Sequence, residues 1–351
     1  MTGLPFVWEN VRCTLAVTEA CNLECRHCYI RAEHSRKEAE LTPEEYSAIA
    51  HELAQLRGQP DTQFFITGGE PLLRHDIGDI IAALSHCGEK VALTTNGLLL
   101  TPTIAKQLAK HQVEVAISLD GPSPAIHEYI RGAGTFASAV AAVRLLNTHG
   151  IPVTLDSVVC RHNFPYLPNL FRLALELGVR ELVLTNVVLI GRAADNRYLL
   201  KPVELYELYQ TVEKLCQEDS RFAQLAQDNL DAWLPYRTRW PNCGAGQEMI
   251  YIASNGDVFP CSNLTQPCFV AGNIRQATLA EIWEESPVLR SLRTIKPVQI
   301  HVDCQRCSYT DICHGGCLAE MDRDFSRAHP QCPSFQRLFQ EITPKGGQVV
   351  R

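Results

Sequence analysis

From Val11 to about Leu200, short apolar runs rich in β-branched residues alternate with longer amphipathic segments. Strands joined by helical crossovers must lie parallel and be covered on both faces, so this alternation predicts an α/β fold with a parallel sheet. The expected strands are Cys13–Val17, Gln63–Thr67, Lys90–Thr95, Val113–Leu119, Pro152–Val159 and Glu181–Thr185. Between them Pro43–Leu56 (after an N-cap at Thr42), Asp76–His86, Pro102–Lys110, Thr135–His149 and Tyr166–Leu177 read as helices. Six βα units make an incomplete barrel, a partial (β/α)6 architecture over residues 1–200. Val203–Gln217 reads as a further helix in a bridge over 201–240. From Pro241 the composition shifts to cysteine, glycine and short strands, which predicts a small cysteine-rich α+β domain over 241–336 and a tail over 337–351 whose last residues, Thr343–Arg351, are expected to be mobile.

A chain of 351 residues with 46% hydrophobic content can bury a large core. Its net charge of −7 gives no general attraction to phosphates and argues against nucleic acid as a partner. No run of apolar residues is long enough for a membrane span, and the first ten residues lack a secretory pattern, so a cytoplasmic protein is expected. In such a reducing compartment, fifteen cysteines point to metal ligands rather than disulfides. None of the twelve histidines forms an HxxxH or HExxH pair, which gives little support to a mononuclear metal hydrolase.

In parallel β/α folds the chemistry gathers at the C-terminal ends of the strands. The first strand runs directly into Cys21-Asn-Leu-Glu-Cys25-Arg-His-Cys28, and three thiolates are one too few to close a tetrahedral or cubane metal site. A four-iron cluster held by these three would keep one iron open to an exogenous molecule. The competing reading is zinc with His27 or His34 as fourth ligand. The second strand ends in Gly68-Gly69-Glu70-Pro71, where two glycines let a ligand approach the backbone and Pro71 stiffens the exit. The fourth ends in Ser118-Leu-Asp120-Gly, followed by Arg131; Asp120 could instead cap the next helix and Arg131 pair with a surface acid. Asn96-Gly97, after the third strand, reads as a turn.

The CxxxCxxC spacing together with Gly-Gly-Glu-Pro one βα unit later resembles radical S-adenosylmethionine (SAM) enzymes. The resemblance implies a TIM-like partial barrel and a four-iron cluster on Cys21, Cys25 and Cys28, whose open iron holds SAM through its amino and carboxylate groups. It further implies that the edge Gly68, Gly69, Glu70 and Pro71 binds the methionyl ammonium. Ser118, Asp120 and Arg131 become candidates for the SAM ribose or carboxylate, and Tyr29 for packing near adenine, though that aromatic could equally be core. The implied activity is reductive cleavage of SAM to a 5′-deoxyadenosyl radical that abstracts hydrogen from a substrate C–H bond, with an external donor such as flavodoxin or ferredoxin supplying the electron.

In the C-terminal region Cys243 is followed by Gly256 and Cys261, then Cys304, Cys307, Cys313, Cys317 and Cys332. Ser254-Asn-Gly-Asp257 between two short strands is a hairpin signal. The pattern resembles the SPASM extension of radical SAM enzymes, which implies two auxiliary four-iron clusters. Cys304, Cys307, Cys313 and Cys332 would bind the outer one, and Cys243, Cys261 and Cys317 the inner one. The inner cluster would then have an open iron, a non-cysteine ligand or Cys268; a zinc ribbon is the alternative for the whole set. Cys13, Cys87, Cys160 and Cys216 read as buried small hydrophobes.

SPASM extensions commonly accompany peptide modification, so the expected substrate is a ribosomally synthesised peptide or another protein. The short segment before the first strand leaves no room for a leader-binding domain, so a separate recognition protein, or strand pairing at a barrel edge, is expected. The alternatives are a small-molecule biosynthetic enzyme acting on a tetrapyrrole or aminoglycoside, and a non-catalytic iron–sulfur carrier or scaffold. In sulfatase-maturing relatives an aspartate follows the cysteine equivalent to Cys261, whereas Ser262 stands here; Asp257 and Glu248 are the substitute candidates for the catalytic acid.

Overall fold

The computed structural model describes residues 12–30, 39–57, 63–86, 90–194, 197–226, 244–294 and Ala319. Six parallel strands form the barrel wall: β1 (Arg12–Ala16), β2 (Gln63–Thr67), β3 (Lys90–Thr95), β4 (Glu114–Ser118), β5 (Val153–Val159) and β6 (Glu181–Asn186). They hydrogen-bond in sequence order. The crossovers are α1 (Pro43–Arg57), α2 (Ile77–Ser85), α3 (Pro102–Lys110), α4 (Pro124–Arg131), α5 (Thr135–Thr148) and α6 (Leu167–Leu177). Thr42 caps α1 in a capping box with Glu45, each side chain bonding the other's backbone N–H. Thr101 caps α3 through the amide of Ile104, and Gly178 ends α6 in the left-handed conformation.

Helix α4 was not expected from the sequence. Its eight residues are too few for a periodic signal, and Ser118-Leu-Asp-Gly reads as the end of a strand. A strongly one-sided apolar stripe, with Ile126 and Ile130 buried, nevertheless seats it on the barrel rim. Beyond β6 come α7 (Pro202–Glu218) and α8 (Ser220–Leu225), whose Phe222 packs edge-on against Phe171 of α6.

The cysteine-rich region does not begin a separate sheet. Strand β7 (Met249–Ile252) pairs in parallel with β1, Cys13 lying beside Ile250. The hairpin to β8 (Asp257–Phe259) and the short β9 (Gly272–Asn273) then extend the sheet antiparallel, to nine strands. Among the described residues two more helices follow: α9 (Leu279–Glu285) packs onto α1, and α10 (Pro287–Thr294) packs onto α9. There Arg275 forks onto the Glu45 carboxylate, the amide of Ala280 donates to Glu52, and Trp283 is completely buried. Barrel and hairpin therefore share one apolar core, which runs from Cys13 to Leu289. Among the described residues no helix is long and apolar enough to cross a membrane.

Candidate active site

The C-terminal ends of the strands surround a cavity of about 420 Å³. Its wall brings together Cys21, Cys25 and Cys28, the Gly68-Gly69-Glu70 edge, Ser118, Arg131 and Tyr29. It also holds Thr95, Asp156, Thr185, Arg192 and Asn263, which the sequence did not single out, together with Asn96, read as a turn residue, and Ser262 from the loop after Cys261.

The cysteine loop has almost no regular structure and is held by ties to the barrel rim. The amide of Arg26 donates to Ile130 O at the end of α4 (2.9 Å). The amide of Arg192 donates to Cys28 O (2.8 Å), and its Nε to Cys25 O (2.9 Å). Gly191 makes this approach possible, because a Cβ there would stand 2.3 Å from Cys28 O and its φ is +64°. Burial pushes the Cys21 thiol up to about 11 and raises that of Cys25. Such thiols release protons on taking up metal. Among the described residues no three His, Cys, Asp or Glu side chains converge as one ion would require. Three thiols on one loop, all lining one cavity wall, are the soft donor set an iron–sulfur cluster takes. His27 Nε2 donates to Asp120 (2.7 Å), and His34 lies outside the described residues.

The Gly-Gly-Glu edge is built by close packing against the exit of β1. A Cβ on Gly69 would stand 2.0 Å from Ala20 O, and one on Gly68 2.3 Å from Thr18 O. The amides of Gly69 and Glu70 donate to Thr18 O and Ala20 O, both at 2.8 Å. The Glu70 side chain turns away from any ligand: Thr95 Oγ1 (2.6 Å) and the amides of Asn96 (2.8 Å) and Leu72 (3.1 Å) all donate to it. Burial raises its pKa, opposed by these three donors. Asn96 is more than a turn residue, since its Nδ2 reaches back to Asn22 of the cysteine loop (2.8 Å). Pro71 is buried in a 3-10 turn and does not line the cavity.

Several expectations change here. Asp120 is completely buried and is not part of the cavity wall; nor does it cap α4, whose N-cap is Ser123. Arg131 pairs with Asp120 rather than a surface acid, at 2.5 Å from Nε. Asp257 is committed to the β7–β8 turn, accepting from Asn255 and Asn273, and Glu248 likewise lies away from the cavity. The carboxylate that does face it is Asp156 on β5. Its Oδ1 makes no hydrogen bond, while Thr185 bonds the carboxylate from β6. Burial raises its pKa to about 6, the Arg131 charge opposing. Alternation along β5 placed its side chain on one face, but no sequence signal marked that face as the interior.

Tyr29 is half-buried and shares a hydrogen bond with Ser262, joining the first cysteine loop to the loop after Cys261. Cys261 is half-buried against Ala245, Leu264 and Leu292, whereas Cys268 is exposed. Cys13 and Cys160 are fully buried as expected, whereas Cys216 is only half-buried. Cys87, Cys243, Cys304, Cys307, Cys313, Cys317 and Cys332 lie outside the described residues.

A partial barrel with three rim cysteines facing a Gly-Gly-Glu edge defines an enzyme class, and the sequence profile of the Radical SAM superfamily matches residues 15–174. That of SPASM, an iron–sulfur cluster-binding domain, matches residues 243–317. The chain belongs to the radical SAM superfamily, in its SPASM-containing branch. It is 33% identical to the mycofactocin maturase MftC of Mycobacterium ulcerans, over 87% of this chain and 82% of that one. Identity is 29% to the AdoMet-dependent heme synthase of Methanosarcina barkeri, covering 95% and 97% of the two chains. The PqqA peptide cyclase of Streptomyces rochei is also 29% identical, covering 93% and 90%. The fold superimposes on native anSMEcpe with bound AdoMet at a TM-score of 0.75, with 19% identity and coverage of 94% and 96%. The chain is therefore an iron–sulfur enzyme that uses SAM, and the non-catalytic alternative falls away.

Proposed function

We propose that this enzyme modifies a ribosomally made peptide or protein by hydrogen abstraction, and that the wall of the 420 Å³ cavity carries the reaction. The observation behind this reading is the meeting, in one cavity, of the three-cysteine loop, the Gly-Gly-Glu edge and Ser262 from the SPASM region. When bound to Cys21, Cys25 and Cys28, a reduced four-iron cluster supplies the electron that cleaves SAM to the 5′-deoxyadenosyl radical. The chain's own residues do the rest. The backbone of Gly68, Gly69 and Glu70 receives the methionyl ammonium. Ser118 and Arg131 face the nucleoside or carboxylate, and Tyr29 closes the wall. Asp156 accepts a proton from a substrate N–H, O–H or S–H next to the carbon radical, because a pKa of about 6 leaves it ionised but basic near neutrality.

Two auxiliary clusters complete the assignment: Cys304, Cys307, Cys313 and Cys332 for the outer, and Cys243, Cys261 and Cys317 for the inner. An external electron donor such as flavodoxin or ferredoxin belongs to this reading, and a leader would be recognised by a separate protein or by strand pairing at a barrel edge. The maturase and peptide cyclase relatives support a peptide substrate. A tetrapyrrole is the second reading, favoured by the heme synthase of Methanosarcina barkeri, which is matched over 97% of its length.

The test is anaerobic: reconstituted protein is reduced with dithionite and given SAM, with either the product of an adjacent short reading frame or an iron porphyrin. 5′-Deoxyadenosine formation with deuterium transferred from labelled peptide is expected; deuterium transfer from the porphyrin alone would replace the first reading by the second. Cys25→Ala should abolish 5′-deoxyadenosine formation while leaving the circular dichroism spectrum unchanged.

A further inference from the structure

Asp120 stands at the exit of β4 with no exposure to solvent, yet its carboxylate accepts four hydrogen bonds. Its Oδ2 accepts from His27 Nε2 at 2.7 Å and from Arg131 Nε at 2.5 Å; its Oδ1 accepts from the amide of Val158 at 2.9 Å and from Arg131 Nη2 at 3.3 Å. Its backbone is fixed as well. The amide donates to His127 Nδ1 (3.0 Å), and Asn163 Nδ2 donates to its carbonyl (2.8 Å). Burial lowers the pKa of His127 to about 4, so the ring stays neutral and can accept that bond.

One carboxylate thereby joins three segments: the cysteine loop through His27, which lies between Cys25 and Cys28; the cavity wall through Arg131; and β5 through Val158. Arg192 and Ile130 bond the backbone of that loop, and Asn96 reaches the side chain of Asn22 near its start. His27 supplies a directed side-chain tie at the turn that presents two of the three thiols.

We infer that Asp120 is a positioning residue: it sets the cysteine loop and Arg131 in mutual register before SAM arrives, and it does not itself touch SAM. This rests on the radical SAM assignment and not on the identity of the substrate. An unanchored loop would bind iron but would present the open corner and the Arg131 charge at the wrong separation. Partners one shell out from a metal site commonly change affinity or activity by about 10–100-fold.

The experiment compares Asp120→Asn, His27→Leu, their double variant and His27→Gln, all reconstituted anaerobically. In Asp120→Asn the new amide nitrogen meets donors whichever way it turns, His27 and Arg131 Nε on one side or the Val158 amide and Arg131 Nη2 on the other. His27→Leu removes the loop's donor, and His27→Gln restores one near the Nε2 position. SAM is titrated against the electron paramagnetic resonance signal of the dithionite-reduced protein, with iron content and melting temperature measured in parallel. Exchange of the loop amides at 21–30 is followed by mass spectrometry in metal-free protein. Asp120→Asn and His27→Leu should retain iron but weaken SAM binding about 10–100-fold and speed loop exchange. The double variant should be no worse than the weaker single, since both break one tie. His27→Gln should stay close to wild type.

SAM affinity within twofold of wild type in iron-loaded Asp120→Asn, or losses that multiply in the double variant, would overturn the inference. If Asp120→Asn does not fold, the contrast between His27→Leu and His27→Gln decides by the same criterion. A wild-type signal that does not respond to SAM would instead defeat the underlying assignment.

Discussion

Two acids on neighbouring strands of the barrel are driven in opposite directions. Asp120 would be raised by burial, but Arg131 and His27 hold it well below the usual carboxylate range. Asp156 has lost more to burial than Arg131 returns and stands near 6. The stability consequence follows from the sign of each shift. A carboxyl whose folded pKa is raised favours the folded state fully below about pH 4, and that contribution is lost as pH rises through about 6. Asp156→Asn should therefore flatten the fall in stability across that window, by at most about 3 kcal/mol in urea titrations at pH 4 and pH 7. An unchanged difference between the two pH values would mean that the acid is solvated. Asp120 acts the other way, its contribution present above the ordinary carboxylate range and lost on acidification. The glycines at the site are fixed by contact rather than by flexibility. Gly69→Ala puts a methyl group onto Ala20 O and should cost about 1–3 kcal/mol together with SAM binding, read by melting and by SAM titration.

At the scale of elements, the cysteine loop owes its place to segments distant in sequence. The turn Gly191–Ala193 after β6 reaches back to Cys25 and Cys28, and α4 receives Arg26. Gly191→Ala would place its Cβ against the carbonyls of Cys28 and Tyr29 in a left-handed conformation that costs a substituted residue about 1–2 kcal/mol. The expected outcome is a protein that folds but holds less iron at the first site, measured by colorimetric iron assay on a background lacking the C-terminal cysteines. Iron content equal to that of the Gly191 parent would show that this clamp is dispensable.

For the molecule as a whole, the nine-stranded sheet makes the barrel and the first part of the SPASM region one structural body. Trp283 of α9 is fully buried beside α1, and Arg293 covers its ring at 4.6 Å. Trp283→Ala should cost about 3–5 kcal/mol and lower a single calorimetric transition. A separate low-temperature transition that leaves the barrel's melting unchanged would show that the two parts unfold independently.

Chain-local features determined much of this protein. Short β-branched apolar runs and a helix cap at Thr42 placed six strands and most crossovers within a residue or two, and ligand spacing, being a matter of adjacent residues, announced the Cys21–Cys28 loop and the Gly68–Glu70 edge. Tertiary structure decided what depends on partners far along the chain. It joined β7 to β1, because an edge strand's open hydrogen bonds take whichever segment the fold delivers. It likewise gave Asp120 to His27 and Arg131, and left Asp156 with an open oxygen in the cavity. A carboxylate's role follows from which donors surround it, and those donors come from strands and loops that meet only after folding.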